Sequence, residues 1–141
     1  LPACGTLRLA AEQAELHGRG VKGHRLRLRE TPGGPCVTGW SAREQSVVWH
    51  VRAPRAVEAR VRVELACPRL YAGSRFELRA GETRSKGEVA GTESFDEFAW
   101  QGVGTMRLPA GENLLSLHAR HMPYGYLFAD VRAVELRTSG G

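Results

Sequence analysis

The feature that most constrains this chain is a hydrophobic period of two. Val47, Trp49 and Val51 alternate with Val48, His50 and Arg52. Ala59, Val61, Val63 and Leu65 alternate with Glu58, Arg60, Arg62 and Glu64. Leu115, Leu117 and Ala119 alternate with Leu114, Ser116, His118 and Arg120. A β-strand turns successive side chains to opposite faces, so this alternation predicts strands with one buried and one wet face. Shorter runs over 6–10, 25–29, 75–80, 86–90, 98–108 and 128–137 extend the series, with a break allowed near Gly102. Ala80-Gly81-Glu82 reads as a hairpin tip, Pro109-Ala110-Gly111-Glu112-Asn113 as a tight connection, and Thr31-Pro32-Gly33-Gly34-Pro35 as a loop. The segment 10–16 is the one helical candidate and is too short to organise a fold. About nine short strands without an internal repeat predict an all-β, antiparallel jelly-roll β-sandwich.

Size and composition agree with one such unit. A chain of 141 residues, 42% hydrophobic and 25% charged, makes a single domain over 1–141 with its core at about 6–138. It is too short for an eight-unit β/α barrel. No apolar run approaches the roughly 18 residues of a membrane helix, so no membrane partner is expected. The net charge is +5. A basic balance suits nucleic acids or anionic polysaccharides. However, Arg25, Arg27 and Arg29 alternate with Leu26 and Leu28, and Arg60 and Arg62 with Val61 and Val63. Those positions are the polar faces of strands rather than a clustered stripe, which argues against a nucleic-acid partner. Cys4, Cys36 and Cys67 leave at least one thiol over, and no C-x-x-C pairs them for zinc. Cys67 reads as a small buried hydrophobe. A Cys4–Cys36 bridge is open to an exported chain. The start at Leu1 reads as processing or excision, and Thr138-Ser139-Gly140-Gly141 as a linker.

Topology then distributes the loops. In a sandwich of antiparallel strands, successive connections fall at alternate ends. Segments 39–46, 67–74, 91–97 and 121–127 share one end, here end one, and 54–57, 81–85 and 109–113 the other. End one carries Trp40, Tyr71, Phe95, His121, Tyr124 and Tyr126, with Trp100 just beyond it. End two carries no aromatic residue. Rings for stacking on a pyranose, next to Arg120 and His121 as donors to hydroxyl, sulfate or uronate groups, make end one the candidate ligand site.

Catalysis finds less support. There is no G-x-S-x-G and no H-E-x-x-H. His118 and His121 lie three apart, on opposite faces of a strand. Glu93, Asp96 and Glu97 gather in one loop rather than facing each other across a cleft. The chain is therefore read as a non-enzyme. Glu12 and Glu15 beside the first strand and Asp130 opening the last would form a calcium cage if those strands pair.

Several segments carry a likeness to a known family. They are LAAEQAELHG (9–18), WSAREQSVVWHVRAP (40–54) with its W-x(8)-W spacing, GSRFELRAGE (73–82), VGTMRLPAGENLLSLHAR (103–120) and ADVRAVELR (129–137). In order and spacing they resemble carbohydrate-binding modules of families 6 and 35, within the galactose-binding-like β-sandwiches. They also resemble the C-terminal accessory domains of bacterial alpha-L-fucosidases and sulfatases. The resemblance implies a noncatalytic jelly roll, secreted or at the cell surface, that targets an attached glycoside hydrolase or sulfatase to a polysaccharide. Neutral, acidic and sulfated polysaccharides all fit that description. It implies a structural calcium held by Glu12, Asp130 and Glu15, and sugar contacts from Trp40, Tyr71, Trp100, Arg120, His121, Tyr124 and Tyr126. The alternative is an accessory domain that packs on a catalytic domain without a ligand of its own.

Overall fold

The computed structural model describes residues 4–18, 25–123 and 128–139, the side chains of Cys4 and Ser139 excepted. Eleven strands run through the described residues: β1 (Cys4–Ala10), β2 (Glu15–His17), β3 (Arg27–Arg29), β4 (Cys36–Thr38), β5 (Ser46–Ala53), β6 (Val57–Ala66), β7 (Arg75–Ala80), β8 (Thr83–Glu88), β9 (Ala99–Leu108), β10 (Gly111–His121) and β11 (Asp130–Ser139). They form two antiparallel sheets. One has the order β3-β4-β11-β6-β9 with β1 also pairing β11, and the other has the order β2-β5-β10-β7-β8. β7 and β8 form a hairpin, whereas β5 to β6 and β9 to β10 cross between sheets, as a jelly roll requires.

The alternating runs behave as their period demands. Val47, Trp49, Val51, Ala59, Val61, Val63, Leu115, Leu117 and Ala119 all face the core. The indole Nε1–H of Trp49 donates to Ala10 O at 2.9 Å, tying one sheet to the end of β1 in the other. Strand 98–108 is unbroken as β9, and the irregularity near Gly102 appears as a register shift opposite Arg60 and Arg62. First and last strands pair from Cys4↔Ser139 to Ala10↔Ala133.

The structure departs from the sequence reading in four places. The strands number eleven rather than nine, because β2 and β4 are three-residue strands with no room to show a period. The run 86–90 is shifted to 83–88, where register with β7 sets the bounds. The helical candidate is a 3₁₀ turn, Ala11–Gln13, closed by Gln13 Oε1 accepting from the Ala10 N–H at 2.9 Å, and β2 follows it. Cys36 is a free, buried thiol. It neighbours the Val37↔Val131 pair, whereas Cys4 pairs with Ser139, eight residues further along β11. That is about 26 Å of strand, against roughly 7 Å for a disulfide's Cα separation, so no Cys4–Cys36 bridge forms.

Candidate functional site at one end of the sandwich

The connections 39–45, 67–74 and 89–98 meet at end one, where β10 ends and Phe128 and Ala129 lead into β11. Two of them are zipped together by backbone. The Thr92 N–H donates to Cys67 O (2.7 Å), the Arg69 N–H to Thr92 O (3.1 Å), the Gly73 N–H to Val89 O (3.1 Å) and the Val89 N–H to Ser74 O (2.7 Å). Across that seam the rings of Tyr71 and Phe95 stack at 6.4 Å with planes 20° apart. Arg29, the last residue of β3, holds the same loop from the other side. It donates to Asp96 Oδ1 (2.8 Å), Phe95 O (2.8 Å) and Asp130 Oδ2 (3.0 Å).

Between these elements lies a cavity of about 320 Å³. Phe95, Phe128 and Trp40 contribute its aromatic wall, and Arg27, Arg29, Thr38 and Asp130 its polar groups. Gly39 takes φ +87 here, and a Cβ would stand 2.8 Å from Arg25 O, so glycine is what lets the chain turn from β4 into Trp40. Burial pushes the Asp130 carboxyl above the ordinary aspartate range, although hydrogen bonds from Thr38 and Arg29 pull the other way. The Asp96 hydrogen bond raises the Arg29 guanidinium, which stays charged. Phe128 and Trp40 are buried, so Phe95 is the ring of that wall with surface to offer, and beside fixed donors and one carboxylate it can take the apolar face of a sugar and some of its hydroxyls.

A second cavity of about 580 Å³ opens at the same end, on the edge of the five-stranded sheet. Arg75, Lys86, Glu88, Arg120 and His121 line it over Phe76 and Gly87. A Cβ at Gly87 would lie 2.5 Å from Phe76 Cζ, so bare backbone is needed above that ring. Beside this cavity Glu77 is buried beneath three arginines, paired with Arg79 at 2.7 Å, Arg84 at 3.3 Å and Arg120. Burial raises its carboxyl, but the hydrogen bonds and charges of Arg120 and Arg79 outweigh that and hold it below the ordinary range.

The site residues expected from sequence divide accordingly. Tyr71 is half-buried at end one, and Arg120 and His121 share the basic cavity. Tyr124 and Tyr126 lie outside the described residues. Trp40 is corrected: it is 2% exposed and packs edge-on against Phe128 at 4.9 Å, which itself meets Phe76 at 5.9 Å. Trp40 closes the core at end one and is not an open stacking platform. Its Nε1 is buried without a hydrogen-bond partner among the described residues. Trp100 is also corrected. It lies on the outer face of the six-stranded sheet, with the Arg62 guanidinium 4.3 Å and that of Arg8 5.7 Å from its ring centroid.

The calcium ligands do not fit. Glu12 is exposed on the 3₁₀ turn, and Glu15 on β2 accepts from His50 and His17, which lower its pKa. Asp130 belongs to the other sheet and is bonded to Arg29. No three metal-ligating side chains converge among the described residues, and the positive charge beside Asp130 is a guanidinium. Sequence reasoning missed Arg27, Arg29, Arg75 and Phe128. The arginines carried only the signal of a strand's polar face, and the Asp that opens β11 was read toward a metal rather than toward an arginine.

No protein-family model and no curated protein sequence matches the chain. Solved structures do. A family 35 carbohydrate-binding module from Clostridium thermocellum superposes with a TM-score of 0.74 at 13% identity, over 96% of this chain and 100% of that one. The C-terminal family 6 module of a marine laminarinase from Zobellia galactanivorans gives 0.74 at 15% identity, over 94% and 99%. A Podospora anserina β-(1,4)-mannanase carrying a family 35 module gives 0.73 at 19% identity, over 97% of this chain but 28% of that longer one. The chain has the fold of family 6 and family 35 carbohydrate-binding modules.

Proposed function

We propose that this chain is a noncatalytic carbohydrate-binding module that targets an attached glycoside hydrolase or sulfatase to a polysaccharide, outside the cell or at its surface. The observation that carries the reading is the end-one cavity, where Phe95 stands against Arg27, Arg29 and Asp130. The shared fold with modules named for carbohydrate binding supports the reading, as does the place of one such module within a longer mannanase chain.

A purely structural accessory role favours a broad exposed apolar face. The exposed large hydrophobic residues among those described are Leu28, Leu70 and Leu114, on three separate elements.

Binding of the purified chain to neutral, acidic and sulfated polysaccharides, followed by calorimetric titration of the best ligand, tests the proposal. Arg27→Ala and Phe95→Ala should each lower affinity about tenfold, the effect of one good polar or ring contact, without unfolding the protein. A folded chain that binds no saccharide in the panel would sink the proposal and leave the accessory role.

A further inference from the structure

The outer face of the six-stranded sheet carries a feature that end one does not explain. Arg60 on β6 and Arg137 on β11 are direct cross-strand partners. Like charges placed opposite each other in an antiparallel pair destabilise the ladder. On one side their neighbours are already neutralised. Arg62 grips Glu135 with two bonds, at 2.7 and 3.0 Å, and Arg132 and Arg8 hold Glu64. On the other side Glu58 of β6 stands in register with Arg107 of β9 and lines a neighbouring cavity with Arg60 and Arg137, without an ion pair to either among the described residues. Arg60 and Arg137 are both exposed, and neither forms an ion pair among the described residues.

The same two arginines line a groove of about 450 Å³. Its far wall is β9, where Gly102 and Gly104 present no side chain and a Cβ at Gly102 would meet nothing within 4 Å. The groove is therefore an open trough beside two guanidiniums that form no ion pair among the described residues, and the one carboxylate in its lining, Glu135, is held by Arg62. Guanidinium forks match the planar, two-oxygen geometry of carboxylate and sulfate groups.

We infer that this trough is a second binding site, which takes an anionic substituent, a sulfate or a uronate carboxylate, on a polysaccharide. The inference rests on the chain being a saccharide binder and names the class of ligand: a glycan that carries discrete negative groups. A nucleic acid is disfavoured because it needs a run of free cations to follow its phosphates, and the flanking arginines here are already paired with glutamates.

The test is titration of the whole chain with a sulfated glycan (chondroitin sulfate), a uronate glycan (polygalacturonate), their desulfated or carboxyl-reduced counterparts, and single-stranded DNA. Wild type should bind at least one anionic glycan about tenfold more tightly than its uncharged counterpart, the effect of one charge-assisted contact pair. The double variant Arg60→Gln/Arg137→Gln should abolish that difference and keep its fold, with a melting temperature equal to or above wild type because a repulsion is removed. Binding of a neutral saccharide at end one should be unchanged in the double variant. Conversely, Arg27→Ala should weaken neutral binding and leave the anionic preference in place, which separates failure of this site from failure of the end-one reading. The inference is overturned if the double variant keeps the full preference, if charged and uncharged glycans bind wild type equally, or if DNA binds as tightly as the better anionic glycan.

Discussion

Arg29 and Asp130 face each other at 3.0 Å although they sit on strands separated by β4. One closes β3 and the other opens β11, so their ion pair spans three adjacent strands at the rim of end one. The same guanidinium also holds Asp96 and Phe95 O, and with them the loop that supplies the cavity's ring.

Arg29→Ala should therefore loosen the end-one loop and leave the Asp130 carboxylate buried without its cation. The expected loss is about 2 kcal/mol, below the value for a fully buried pair because the arginine is partly exposed. Urea denaturation reads this directly. Arg29→Lys should recover only part of it, since one ammonium cannot reproduce a fork held by three acceptors. A variant as stable as wild type would show that the loop is held by its backbone zipper alone.

Two buried carboxylates should tilt stability in opposite directions with pH. Glu77 is held below the ordinary glutamate range, so its contribution is present above that range and is lost as pH falls through its folded pKa. Asp130 is raised by burial, so its contribution is present below the ordinary aspartate range and is lost as pH rises through its folded pKa. Stability measured from pH 7 to pH 3 should show the wild-type advantage over Glu77→Gln shrinking with acid. The wild type should gain on Asp130→Asn over the same titration. At neutral pH, Glu77→Ala should cost about 2 kcal/mol, less than for a fully buried pair because the three arginines it leaves behind are themselves part exposed.

Trp40→Ala should remove the plug of the core at end one and cost about 3–5 kcal/mol. Trp40→Phe keeps a ring against Phe128 and removes only the indole N–H. It should cost about 1–2 kcal/mol and leave saccharide binding close to that of wild type. Thermal melts and calorimetric titration of both variants separate packing from ligand contact.

Cys36 and Cys67 should resist alkylation in the native protein. Burial pushes each thiol up to about 11, so neither is ionised to any useful extent at pH 8. Mass spectrometry after iodoacetamide treatment should find both unmodified until denaturant is added. Rapid native labelling of either would mean that the strand ends beside Asp130 open far more readily than their packing indicates.

The long strands were legible because their inward residues kept strict alternation. β5, β6, β7 and β10 start and end within a few residues of the sequence expectation. The segregation of loops to two ends followed from counting antiparallel turns. What alternation does not encode is which ring folds inward. Trp40 and Tyr71 both sit in end-one segments, yet Trp40 is pressed between sheets by Phe128 while Tyr71 rests on Phe95. Nor does it encode long-range charge pairing. Arg29 and Asp130 are 101 residues apart in sequence, and either residue alone reads as solvated. The three-residue strands β2 and β4 carry too few positions to display any period, and pairing with β5, β3 and β11 is what makes them strands.

The pairing of β1 with β11 has a mechanical consequence. Cys4 lies opposite Ser139, so both ends of the ladder lie on the side away from the Arg29–Asp130 rim. A polypeptide leash joined at either end would carry the domain as a bulb on a stalk, with the aromatic cavity at the outermost pole. Pulling on both strand ends together would load the β1–β11 hydrogen bonds one after another, as a zipper opens, before any load reached that pole. The end with the Arg29–Asp130 rim would then be the last part of the molecule to feel that load.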